Sequence, residues 1–383
     1  MKFVVAADSL KGSLTSSQAN QVIAAAIHAR FPNSEVHCFP SSDGGEGFLE
    51  ALASSSQFRS VETNGIDALG RSHPHSYLWD PVAHYAVCET AQTIGLVHVQ
   101  LHGALDSTLP LRAHSQSVGV DISKASQLGA TTIYVALGGT CTTDGGLGML
   151  LELGAKAWNT DGKPIVLQPE VNPLINCVGR IELPNVPFKL VGLADVRSPL
   201  LGPSGAAQMF APQKGADPET ALLLESRMRL YAQALAHSGT PVAQKPGAGA
   251  AGGIGAAILA LGGRIMSGVD FLASANGFLA AAAGANAVFL AEGTFDEQSL
   301  HGKTPVRLAQ LAHWVDAQYT VLLAGRDAFP SELQLPTYVN QVVAIHPPDL
   351  PSAQAMDTQT TRDALTRTVT AVLSTLELDS ETS

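Results

Sequence analysis

Apolar residues occupy Phe3 to Ala7 without a break, a run of strand type. Thr15-Ser-Ser-Gln18 follows with the spacing of a capping box, ahead of apolar residues at Ala19, Val22, Ile23, Ala26 and Ile27 that share one helical face. A second strand, Val36 to Phe39, leads through the polar segment Ser41 to Gly47 into another helix, so the first ~55 residues predict a βαβ unit of a parallel sheet. Between residues 57 and 89 the pattern changes to short runs, Phe58 to Thr63, His75 to Trp79 and Tyr85 to Glu89, separated by Gly and Pro, as in a connecting or antiparallel region. Alternation resumes with a helix near 117 to 128, the strand Thr132 to Leu137, and the strand Phe188 to Leu193 before Asp195. Asp217-Pro218-Glu219 opens a long helix with a cap, a first-turn proline and an early acid. Strands Ala285 to Leu290, Thr320 to Ala324 and Gln341 to Ile345, then a helix near 358 to 376, keep the tail α/β.

At 383 residues with 45% hydrophobic content, the chain exceeds what one core usually organises, which predicts two domains. Its 22 basic and 33 acidic side chains leave a net charge of −11, and no stretch clusters Lys and Arg. That argues against a nucleic-acid face or an anionic membrane surface. An anionic ligand therefore needs local help from backbone amides, a few placed lysines or a bound cation, because screening beyond about 8 Å erases long-range steering at physiological salt. Cys38, Cys88, Cys141 and Cys177 form no Cys-x-x-Cys pair, so reduced thiols are expected in place of zinc or a disulfide framework. The apolar run ending at Asp8 is too short for a signal-peptide core, and no later stretch reaches the ~18 residues of a membrane span. The expectation is a soluble, cytoplasmic protein.

Five apolar strands run almost directly into loops with Asp, Glu or Gly: Asp8 to Gly12, Ser41 to Gly47, Gly138 to Gly148, Asp195 to Gly205, and Glu292 to Lys303. The carboxyl ends of parallel strands form the ligand crevice of an open sheet, because helix N-termini and free amides converge there. Gly247-Ala-Gly249-Ala-Ala-Gly252-Gly253 contains Gly-x-Gly-x-x-Gly, but Gln244-Lys-Pro precedes it where a dinucleotide fingerprint needs a strand. Close approach of a phosphate and tight packing of the following helix are both open readings. Phosphoryl transfer needs Mg²⁺ to neutralise the phosphates, a carboxylate near the attacking hydroxyl, and cations or amides on the migrating group. Asp8, Asp43, Asp144, Asp195, Glu292 and Asp296 can supply carboxylates, and Lys11, Lys214 and Lys303 positive charge. The same residue types also serve as helix caps and solvated surface groups. His73-x-His75 and His98-x-x-x-His102 lack Cys or acid neighbours at metal spacing and read as structural.

Seven motifs occur in order between residues 6 and 305. They are Ala7-Asp8-Ser9-Leu10-Lys11-Gly12, Asp43-Gly-Gly-Glu-Gly47, Gly138-Gly-Thr-x-Thr-x-Asp144-Gly-Gly, Asp195-Val-Arg-Ser-Pro199 with Gly205-Ala, Pro212-Gln-Lys214-Gly-Ala216, Gly249-Ala-Ala-Gly-Gly-Ile-Gly255, and Glu292-Gly293 to Gly302-Lys303. Together they resemble the bacterial glycerate kinase family, type II. The resemblance implies a Rossmann-like domain built from both chain ends, 1–62 plus 286–383, with a second α/β domain, 63–285, inserted and the active site in the cleft. It further implies ATP and Mg²⁺ as cofactors and D-glycerate as acceptor, with 2-phosphoglycerate favoured over 3-phosphoglycerate; a homodimer is compatible with it. A kinase for a related small hydroxy acid, or a non-catalytic ligand-binding paralogue, is the alternative.

On that resemblance, Asp8, Lys11, Asp43, Asp195 and Lys214 are the expected catalytic residues. Gly138, Gly139, Thr140, Asp144, Gly249, Gly252, Gly253, Glu292 and Lys303 are expected to bind the nucleotide, and Asp195 and Asp296 to hold Mg²⁺. The chain departs from the family pattern most sharply at Thr294, where an Arg is usual. Loss of a bidentate partner for a carboxylate or phosphate there bears on substrate preference, since charge-assisted pairs are roughly twice as strong as neutral ones.

Overall fold

A computed structural model describes residues 1–10, 12–41, 45, 47–53, 57–101, 105–301, 304–330 and 334–376. Its strands in the amino-terminal half are β1 (Lys2–Ala7), β2 (Glu35–Cys38), β3 (Arg59–Ile66), β4 (Ser72–Asp80), β5 (Tyr85–Glu89), β6 (Thr132–Ala136), β7 (Lys156–Asn159), β8 (Pro164–Ile165) and β9 (Val178–Glu182). They are followed by β10 (Lys189–Leu193), β11 (Arg264–Met266), β12 (Ala287–Phe295), β13 (Thr320–Asp327) and β14 (Gln341–Ala344). Two compact units result: Met1–Asp43, Glu50–Ser55 and Val269–Ser383 form the first, and Gly44–Leu49 with Ser56–Gly268 the second.

The first unit is a five-stranded sheet in the order β14-β13-β12-β1-β2, parallel throughout. Its continuous apolar runs have a simple cause: both faces are buried. Phe3, Val5 and Ala7 pack with Phe289 and Leu323 against Ile23 and Ile27 of the helix Ser16–Arg30 and Leu365 and Val369 of the helix Thr358–Thr375. Val4 and Ala6 pack on the other side with Leu290 and Leu322, under Ala273, Phe278 and Ala309. Thr15 makes the expected capping box, its Oγ1 accepting from the Gln18 amide at 3.2 Å while Gln18 Oε1 accepts from the Thr15 amide at 3.0 Å. The strand order turns back between β1 and β12, which places the ligand crevice of such a sheet beyond the carboxyl ends of those two strands.

β12 is longer than the apolar run predicts. Its pairing with β1 stops at Ala7↔Ala291, but pairing with β13 continues through Thr294↔Arg326 to Phe295↔Asp327. Glu292 therefore sits within a strand instead of starting a loop, because β13 supplies the ladder after β1 has ended.

In the second unit a six-stranded sheet runs β11-β10-β6-β5-β4-β3, parallel from β11 to β5 and antiparallel through β4 and β3. The antiparallel part is the region of short runs between residues 57 and 89. β7, β8 and β9 make a small separate antiparallel sheet that the sequence pattern did not distinguish. Asp217 caps the helix Pro218–His237, accepting from the Thr220 amide at 2.7 Å. The α/β class read from the sequence holds, with a parallel-sheet unit assembled from both chain ends and a second α/β unit inserted. No helix among the described residues is long and apolar enough to cross a membrane.

Candidate active site

The parallel strands of the second unit deliver four segments to one sheet edge: Glu89-Thr90 at the end of β5, Gly138 to Asp144 after β6, Asp195 after β10 and Ser267 after β11. Thr90 Oγ1 donates to Ala136 O (2.8 Å) and Gly138 O (3.1 Å), tying the first two together. Gly139 has φ +68°, a left-handed conformation that glycine adopts without cost, and it is the exposed part of a loop whose next five residues, Thr140 to Asp144, are buried.

Lys214, from the short turn Pro212–Lys214, is 2% exposed and threads its ammonium into this loop. Nζ donates to Thr142 O at 2.7 Å and to Thr140 Oγ1 at 3.3 Å. An ammonium has three N–H groups, so one makes no hydrogen bond to a described residue. Burial pushes its pKa from 10.5 down to about 8, against the opposing influence of Cys141 and Asp144. Burial likewise pushes the neighbouring Cys141 thiol up to about 12, so it stays protonated.

Asp144 is fully buried and accepts four hydrogen bonds from its own surroundings. Oδ2 takes the Ser115 amide (2.7 Å), the Ser115 hydroxyl (2.7 Å) and the Gly148 amide (3.1 Å), and Oδ1 takes the Gly146 amide (3.0 Å). Its negative charge thus sits at the amino ends of two helices, Gln116–Gln127 and Leu147–Glu152. The glycine run is equally engaged with protein. A Cβ on Gly252 would lie 2.0 Å from Thr142 O, one on Gly253 2.6 Å from Gly145 Cα, and one on Gly249 2.2 Å from Pro199 O. Ala251, Gly252 and Gly253 are all left-handed, and Gly252 O accepts from the Gly145 amide at 3.0 Å. Of the two readings of Gly-x-Gly-x-x-Gly, these distances fit close packing of one backbone on another.

Asp195 follows β10, and its Oδ1 accepts from Ser267 Oγ at 2.6 Å. His75 has a partner that spacing could not reveal: Asp121, from the helix Gln116–Gln127, lies 2.8 Å from its Nε2, with both side chains buried. Burial opposes charging of that imidazole, but the hydrogen bond and charge of Asp121 prevail and raise its pKa.

In the first unit a pocket of about 850 Å³ opens at the carboxyl edge of the sheet. Asp8, Ser9, Glu292, Gly293 and Thr294 line it from β1 and β12, Gly325 and Arg326 from β13, and His346 to Pro348 from beyond β14. Asp8 and Glu292 are thus brought to one pocket, on adjacent strands joined by the Asp8 amide donating to Ala291 O at 2.9 Å. Asp296 acts locally, its Oδ1 accepting from the Ser299 amide at 3.0 Å and capping the turn Glu297–His301. Lys11, Asp43 and Lys303 lie outside the described residues.

Arg326, Thr304 and His346 were not singled out by the sequence. Arg326 is the register partner of Thr294, the position where the family pattern has its own arginine. Only pairing of β12 with β13 discloses this, since 32 residues separate the two in the chain.

A family model described as the glycerate kinase family matches residues 3–377. The chain is 33% identical over 319 residues to the glycerate 2-kinase of Escherichia coli, covering 82% of each, and 34% identical over 318 residues to a glycerate kinase of Bacillus cereus, again covering 82% of each. It is 38% identical over 330 residues to an uncharacterized protein of Mycobacterium bovis, covering 85% of this chain and 79% of that one. Among solved structures it resembles a crystal structure from Salmonella typhimurium LT2 provisionally assigned as glycerate kinase 2, with TM-score 0.79, 29% identity and 98% of each chain covered.

Proposed function

The chain belongs to the glycerate kinase family, and from that premise we propose that it transfers the terminal phosphoryl group of ATP to D-glycerate at the 2-hydroxyl. In chemical terms, the hydroxyl oxygen forms the new bond to phosphorus, the bond from phosphorus to the bridging oxygen breaks, and ADP leaves with that electron pair. The hydroxyl proton passes to a carboxylate, for which Asp195 at the end of β10 is our choice. The observation that carries the reading is Lys214: in a chain of net charge −11, a buried ammonium with one uncommitted N–H is the local cation an anionic oxygen needs. Similarity to a protein named glycerate 2-kinase favours the 2-hydroxyl.

Mg²⁺ takes one or two carboxylates and fills its remaining positions with phosphate oxygens and water. No group of three or more His, Cys, Asp or Glu is assembled for a metal among the described residues. The pair that meets the smaller requirement is Asp8 and Glu292, which share a pocket. Asp296 does not line that pocket, and its Oδ1 takes both the amide and the hydroxyl of Ser299, whereas Glu292 lines the pocket and takes that hydroxyl on Oε2 at 3.3 Å. When bound, the cation neutralises phosphate charge; Asp8 and Glu292 would hold it.

An assay of ADP release with ATP, Mg²⁺ and D-glycerate, run beside L-glycerate and other small hydroxy acids with the product identified by phosphorus NMR, tests the proposal. Fast, D-specific formation of 2-phosphoglycerate is expected. A better acceptor than glycerate, or phosphate on the 3-hydroxyl, would overturn the corresponding part.

The pH profile tests Lys214 separately. The ammonium is the useful form, so kcat/KM, which reports the free enzyme, should fall as pH rises through about 8. A bound anion favours the charged form, so the fall in kcat should come at higher pH. A flat kcat/KM between pH 7 and 10 would exclude a catalytic charge on this residue.

A further inference from the structure

The first-unit pocket carries groups that neither the metal carboxylates nor Lys214 account for. Thr304 is 3% exposed and lines the pocket, and its Oγ1 has no hydrogen-bond partner. His346 is 8% exposed and lines it too; its Nε2 lies 3.3 Å from Thr361 Oγ1, while Nδ1 has no partner. Buried polar atoms are seldom left unsatisfied, and two around one pocket point to a ligand that satisfies them. Thr304 also opens the eleven-residue helix Thr304–Trp314, whose positive end favours an anion. Arg326 is exposed at the same pocket and makes no hydrogen bond or ion pair to a described residue.

Another wall is apolar: Pro347, Pro348, Leu350, Pro351 and Met356, the last 56% exposed. A volume of about 850 Å³ is many times that of a three-carbon acid and lies within the range of pockets for drug-sized molecules. A pocket that combines apolar proline, leucine and methionine side chains with a guanidinium, a buried hydroxyl and a helix N-terminus suits a ligand that carries both an aromatic base and phosphates.

We infer that this pocket holds the nucleoside triphosphate donor, its base against the proline and methionine wall and its phosphates on Arg326 and Thr304. The inference rests on the ATP reading above and places the donor where that reading leaves it unplaced. Arg326 and Thr304 become binding residues for the phosphates, and the glycine run Gly249 to Gly253 keeps its packing role.

Calorimetric titration of the whole protein with the non-hydrolysable analogue AMP-PNP, and separately with adenosine, tests this. Arg326→Ala alters an exposed side chain, so folding should be spared; it should weaken AMP-PNP by about tenfold, as expected for losing one charge-assisted contact, and leave adenosine unchanged. Ala355→Trp, which fills the pocket from its half-exposed apolar wall, should weaken both ligands. Unaltered AMP-PNP affinity in both variants would overturn the site while leaving ATP as donor. A parent protein that binds no AMP-PNP would remove the ATP reading and this site with it. Arg326→Ala raising only the KM for glycerate would hand the pocket to the acceptor.

Discussion

Lys214→Met is expected to lower turnover by about a thousandfold or more, the scale of losing a preorganised charge at a reacting oxygen, while raising the melting temperature. The two effects have one cause. Within the folded protein the ammonium has lost its water and regained only two hydrogen bonds, to Thr142 O and Thr140 Oγ1. Its pKa falls from 10.5 to about 8, a depression worth about 3 kcal/mol that folding must absorb at neutral pH. The sign follows from proton counts: between about pH 8 and 10.5 the unfolded chain binds this proton more than the folded one does, so the parent's stability from this group rises with pH across that window. Below about pH 8 the cost is carried in full. Methionine, of similar length and uncharged, removes it, and the stabilisation should fade as pH approaches 10.5. Thermal melts at pH 7 and pH 10 beside steady-state kinetics check both halves. Near-normal turnover would reduce Lys214 to a structural residue. A lower melting temperature at pH 7 would mean that its two hydrogen bonds outweigh its desolvation.

The motif around Lys214 was visible in the chain but its burial was not, and that contrast marks which parts of this molecule could be read from the sequence. The parallel sheet of the first unit was legible because Phe3 to Ala7 and Thr320 to Ala324 are apolar on both faces, and only a strand covered from two sides needs that. The helix starts at Thr15 and Asp217 were legible because capping is local chemistry. Loops at strand ends stood out because a parallel sheet gathers helix N-termini and free amides at its carboxyl edge. What a side chain does inside a loop is decided by partners distant in sequence. Spacing cannot show that Gly252 lies against Thr142, that Asp121 reaches His75, or that Arg326 stands beside Thr294. Thr304 and His346 carry no motif at all; their interest comes from burial without a partner, which is a property of packing alone.

Asp144 is the sharpest case, because the motif Asp-Gly-Gly invites a ligand-binding reading and its surroundings indicate an anchor. Asp144→Asn preserves size and shape and removes only the charge and one acceptor. The four groups that converge on the carboxylate are the amides of Ser115, Gly146 and Gly148 and the hydroxyl of Ser115. A carboxamide presents one oxygen and one NH₂, so whichever way it turns, its NH₂ faces an N–H that can only donate. At a site with no solvent exposure, that leaves a donor unsatisfied and removes the anion from two helix amino ends, for a loss of about 3 kcal/mol or more. Denaturant unfolding should show that loss as a lower midpoint at unchanged slope. Any fall in turnover should then track the folded fraction, with the KM for ATP and for glycerate little altered in the molecules that remain folded. The opposite pattern, a stable protein with one KM raised by an order of magnitude, would mean that this carboxylate faces a ligand after all, and that the amides around it hold the loop without its charge.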